Sequence, residues 1–107
     1  MKQPAVAGRL YDLVVVLQQI VGGSFGKIDV FPADSAGSLI SCYFTPSDGK
    51  LSAARSLIPL LTRNKATFAR MGYRMLYPAQ IVTFEYEDGN CNCVYMLLQL
   101  DSISPSG

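Results

Sequence analysis

Val6, Leu10, Leu13, Val14, Leu17, Ile20 and Val21 recur at steps of three and four residues, with Arg9, Asp12 and Gln19 on the opposite side. That spacing predicts an amphipathic helix from Pro4 to Val21. Pro4 suits a first turn, where its missing N–H is not needed, and Gly22-Gly23 supplies a left-handed residue to end the helix. Beyond it, Lys27 to Phe31 and Ser38 to Thr45 are short and rich in β-branched and aromatic types. They flank the turn formers Pro32 to Gly37, so they are expected to pair as a hairpin. Pro46-Ser47-Asp48-Gly49 closes the pair and offers capping oxygens to the next segment.

From Lys50 to Met75 the period is helical again, with Leu51, Ala54, Leu57, Ile58 and Leu61 on one face. Pro59 is expected to kink this helix or split it. A break near Asn64 precedes a short helix over Lys65 to Met71, ended by Gly72. The last third predicts a hairpin: Gln80 to Glu87, a turn at Asp88-Gly89, then Asn90 to Leu100. A three-residue turn that also takes in Asn90 would slip the pairing by one.

With the two-residue turn, Val82, Phe84 and Tyr86 share a face with Cys91, Cys93, Tyr95 and Leu97, and that face is read as core. Ile81, Thr83 and Glu85 lie on the other face beside Val94, Met96 and Leu98, which is more apolar than a solvated face needs to be. Either helices cover both faces or a second chain covers one. The order α-β-β-α(α)-β-β describes a two-layer α+β domain with an antiparallel sheet. One domain is expected over residues 1–107, with a serine- and proline-rich tail from Asp101 to Gly107 that frays.

Composition sharpens this picture. Half of the residues are hydrophobic and 16% are charged, apolar for a small domain, which points to a surface that meets a partner. Arg9 and Asp12 interrupt the N-terminal apolar stretch and Gln18-Gln19 close it, far short of the roughly 18 residues of a membrane span. The unbroken run Leu13 to Leu17 is also short for a signal peptide. The three cysteines, Cys42, Cys91 and Cys93, form no disulfide framework and fit a reducing, cytoplasmic setting. Cys91 and Cys93 share one strand face, but with no histidine in the chain a four-ligand zinc site is not expected, and the thiols are read as small buried hydrophobes.

The absence of histidine also removes the usual dyads and triads, so no catalytic, metal or cofactor residues are assigned. Glu85 and Glu87 read as a solvated strand tip rather than an acid–base pair. Gly22-Gly23-Ser24-Phe25-Gly26 follows a helix and precedes a strand, the reverse of a phosphate loop, and is read as a cap and turn with Phe25 inserted in the core.

Charge is segregated along the chain. Residues 1–48, 49–84 and 85–107 carry −1, +6 and −4, which make up the total of +1. The middle block holds Lys50, Arg55, Arg63, Lys65, Arg70 and Arg74 without an acid, interleaved with Phe68, Tyr73 and Tyr77. The leading expectation is a non-enzymatic interaction module, a homodimer or an adaptor or inhibitor of the kind that phages and mobile elements encode. Its partner-binding residues are expected to be Arg55, Arg63, Lys65, Arg70 and Arg74 with Val94, Met96 and Leu98. The alternative is a nucleic-acid-binding module in which the bases of residues 50–74 grip phosphates and the aromatics stack.

Overall fold

A computed structural model of the chain describes residues 4–101, with side chains from residue 8 onward. All but the first residue of the expected tail lies outside the described residues. Helix α1 runs Pro4–Val21, and Gly22, at φ 98°, ends it as the glycine pair implied. Strands β1 (Gly26–Pro32) and β2 (Leu39–Pro46) form the expected antiparallel hairpin. Its loop is organised by Asp34: Oδ1 accepts the Ser38 and Leu39 amides at 2.9 and 3.0 Å, and Oδ2 accepts the Ser38 hydroxyl at 2.6 Å. At the other end Gly26, at φ 149°, passes so close to the Thr45 carbonyl that no side chain fits there.

Helix α2 (Leu51–Arg63) is one segment through Pro59, so of the expected kink or split the split does not occur; the proline sits on the exposed side of a helix whose inner face is anchored by Ala54, Leu57 and Leu61. The turn Pro46-Ser47-Asp48-Gly49 supplies one side-chain oxygen at the entry to this helix, that of Asp48. Its carboxylate accepts the Lys50 amide at 2.9 Å, and Lys50 is the N-cap, with no side-chain cap bond. The break at Asn64 and the short helix α3 (Lys65–Arg70) are as expected. Gly72 then leads into a strand that sequence reading missed, β3 (Tyr73–Met75).

Strands β4 (Gln80–Tyr86) and β5 (Gly89–Leu100) complete a five-stranded antiparallel sheet in the order β1-β2-β5-β3, with β4 beside β5 as well. Both β3 and β4 lie on the same side of β5, β3 against Leu98 to Leu100 and β4 against Gly89 to Tyr95. They act as one edge strand interrupted at Leu76 to Ala79, where four residues stand opposite Met96 and Leu97. Pro78 falls in that interruption, a place where a strand tolerates its missing N–H.

The turn of the last hairpin is Glu87-Asp88, closed by the Tyr86–Gly89 pair, so the register is two residues from the expected one. Among the described residues no residue other than glycine has positive φ, which excludes a mirror-image turn at Glu87-Asp88, and Gly89 at φ 129° takes up the left-handed position instead. A shift of two preserves face membership, so Val82, Phe84 and Tyr86 do share a face with Cys91, Cys93 and Tyr95.

Which face is core is the reverse of the expectation. Val94, Met96 and Leu98 pair with Phe44, Cys42 and Ile40 of β2, and all six are buried beneath the helices with Leu13, Leu17, Leu57, Leu61 and Phe68. They are core and not a free interface. The deciding signal lies in β2, where Ile40, Cys42 and Phe44 alternate with the hydroxyl-bearing Ser41, Tyr43 and Thr45. The helices cover only the first set.

Candidate functional site

The sheet face without helices carries the side chains that β1, β2, β4 and β5 send away from the core. Tyr43 sits at its centre. The Tyr43 ring stacks on Phe31 with centroids 5.8 Å apart and meets Tyr95, its cross-strand neighbour, at 4.9 Å and Phe84 at 6.1 Å in tilted contacts. The Tyr95 hydroxyl reaches Ser41 Oγ at 3.2 Å, so the buried Ser41 hydroxyl is satisfied.

Outside this central cluster the rings are open to solvent: Phe31 is 44% exposed, Phe84 38% and Tyr86 60%. Three large apolar side chains exposed on one sheet face form a patch, unlike the scattered single residues normal on a protein surface. Between the rings lies an open concavity of about 470 Å³, whose lining includes Cys91, Cys93, Thr45 and Lys27. The sulfur atoms of Cys91 and Cys93 are 3.9 Å apart, and Thr45 Oγ1 is 3.4 Å from Cys93 Sγ. Partial burial raises the Cys91 thiol pKa above its ordinary value, and the contact with Cys93 raises it further. Cys42, on the core side, is pushed up to about 12 by burial.

Charge is sparse on this face. Lys27 and Asp29 are neighbours on β1, 3.8 Å apart, and offset one another. The basic side chains lie elsewhere. Arg55, Arg63, Lys65 and Arg70 are exposed on α2 and α3, across the sheet from the aromatic face. Arg74, on β3, is held by Gln99 and by Asp101, whose carboxylate is 3.6 Å from Nε.

No family model, curated protein or solved structure matches this chain.

Of the partner-binding residues expected from sequence, the five bases are exposed and Val94, Met96 and Leu98 are enclosed. The aromatics interleaved with the bases divide in the same way: Phe68 and Tyr73 are buried and Tyr77 is exposed. The sequence pattern does not mark Phe31, Tyr43, Phe84, Tyr86 and Tyr95 as an interface, because an aromatic hairpin face reads as core even when the other face carries Val94, Met96 and Leu98. Among the described residues no group of three or more metal-ligating side chains converges, and no helix is long and apolar enough to cross a membrane.

Proposed function

We propose that the protein is a non-enzymatic protein-interaction module whose contact surface is the helix-free aromatic face, and that its partner is a second copy of the chain. The exposed cluster of Phe31, Phe84 and Tyr86 around Tyr43 carries this reading. A sheet face left to water is ordinarily polar, and aromatic rings in a shallow concavity are what interface centres are enriched in. Self-association is favoured because the face is nearly neutral: with Lys27 offset by Asp29, laying it against its own copy opposes no net charges.

The size of the face predicts the strength. Four strand positions about 4.8 Å apart and about seven residues at about 3.3 Å each give a patch of roughly 19 by 23 Å, or about 440 Å² in projection. Two such patches fall in the small class of interfaces, below about 1,200 Å² in total, so the dimer should dissociate on dilution. The alternative, nucleic-acid binding, needs rings and bases in one groove. Here the aromatic cluster is on one side of the sheet and Arg55, Arg63, Lys65 and Arg70 are on helices across it, where Tyr77, beside Lys65, is the one exposed ring among the aromatics interleaved with the bases.

Sedimentation velocity from low to high micromolar protein tests the reading. The expected result is a monomer–dimer equilibrium that Phe84→Lys abolishes without loss of fold. A wild-type monomer throughout that range would refute self-association. Tight binding of random oligonucleotides near 0.15 M salt, lost in an Arg70→Gln, Arg74→Gln double variant, would favour the nucleic-acid alternative.

A further inference from the structure

We propose that Cys91 and Cys93 form a low-coordinate site for a soft monovalent cation, Cu(I), at the floor of the concavity on the open sheet face. Residues two apart on a strand point the same way, and here that brings the sulfurs to 3.9 Å, both lining the open concavity. With metal–sulfur arms of about 2.3 Å, this separation corresponds to an S–metal–S angle of about 116°. A linear centre needs the sulfurs about 4.6 Å apart, within reach of a side-chain rotation by the half-exposed Cys91.

The donor set selects the cation. Two thiols with no histidine in the chain, and no converging group of three ligands among the described residues, leave a zinc ion two donors short, and the one carboxylate lining the concavity, Asp29, is paired with Lys27. A soft ion content with two thiolates is the one this pair suits. Binding breaks two S–H bonds and forms two S–Cu bonds. Two protons leave to solvent, no electron moves and copper remains Cu(I). The resulting bis-thiolate centre carries one negative charge, next to the Thr45 hydroxyl that can donate to Cys93, in a concavity where Lys27 and Asp29 offset one another.

Cys42 is the internal control, since it lies buried on the opposite side of the sheet. The test is anaerobic titration of the reduced full-length chain with Cu(I) against a chromophoric Cu(I) chelator, following the ultraviolet thiolate-to-copper charge-transfer band. One Cu(I) per chain is expected, with affinity unchanged in Cys42→Ser and at least a hundredfold weaker in Cys91→Ser. Cys91 is half-exposed, so this variant is expected to keep the wild-type circular dichroism spectrum, which is recorded alongside. Affinity unchanged in folded Cys91→Ser, or Zn²⁺ competing with Cu(I) on equal terms, would overturn the proposal.

Discussion

Met96→Lys separates the two faces of β5 with a measurable signature. Met96 is fully buried, paired with Cys42 across the β2–β5 ladder and enclosed by the helices. The lysine stem replaces much of the methionine volume, so the main cost is electrostatic. Ser41 is the one buried polar or charged side chain among the described residues, which leaves no carboxylate in the core to receive an ammonium. The group would be carried neutral. Removing its proton at pH 7 from an ordinary pKa near 10.4 costs about 3.4 units at 1.36 kcal/mol each, or about 4.6 kcal/mol. That approaches the low end of the roughly 5–15 kcal/mol that holds a domain folded. With an unfolding entropy of about 2.1 cal/mol/K per residue, it corresponds to a fall in Tm of about 20 °C.

The pH dependence identifies the cause. A folded-state lysine pKa depressed below the unfolded value destabilises at low pH, and the penalty shrinks as pH rises toward the unfolded pKa. From pH 7 to pH 9 the variant should therefore recover about 2.7 kcal/mol relative to wild type, a recovery that simple loss of packing would not give. Urea denaturation followed by circular dichroism at both pH values measures it. Phe84→Lys, on the open face, should stay within about 1 kcal/mol of wild type at either pH. A Met96→Lys variant that unfolds at the wild-type midpoint while losing self-association would mean that Met96 faces a partner, and the assignment of faces would fail.

Two further perturbations test local features. The Asp34 pKa is held below its ordinary value of 3.8, chiefly by the Ser38 hydroxyl and then by the Leu39 amide, so its contribution is complete above pH 3.8 and lost as pH falls through the lower folded value. Asp34→Ala should lower the thermal midpoint at pH 7 and converge with wild type in acid; a gap that widens toward acid would contradict the hydrogen-bonded loop. Pro59→Ala restores the N–H that can bond the Arg55 carbonyl one turn back in α2, and should stabilise by about 1–2 kcal/mol once the looser unfolded chain is allowed for. A lower urea midpoint would show that the helix is built around the proline.

The chain announces its elements more clearly than its faces. The step of three and four residues in α1, the glycines at its end, the turn formers before β2 and the break at Asn64 are local signals, and each has its expected counterpart in the fold. Strand β3 is too short for a period to show, and it is strand only because Leu98 to Leu100 extend past β4 and leave ladder positions to fill. Pro59 does not end α2, because the anchoring of Ala54, Leu57 and Leu61 on the inner face outweighs its low propensity. The last hairpin presents two apolar faces, and only its pairing with β2, which is not written in the hairpin, selects Val94, Met96 and Leu98 for the core. The candidate surface followed that choice to the opposite side.

The chemistry of the open face fits an interface that forms and dissociates. The three helices lie on one side of the sheet, and the other side must tolerate water whenever no partner is present. A purely aliphatic face would not, whereas Tyr43, Tyr95, Ser41 and Thr45 bring hydroxyls among the rings. The Ser41–Tyr95 bond satisfies the most buried of them within one chain, so covering the face does not strand that pair. In the single chain Phe31, Phe84 and Tyr95 already hold mutual contacts through Tyr43, so this part of the patch is ordered without being covered. A surface ordered in this way loses little side-chain entropy on association, which lets a face of only about 440 Å² support a specific though dissociable contact.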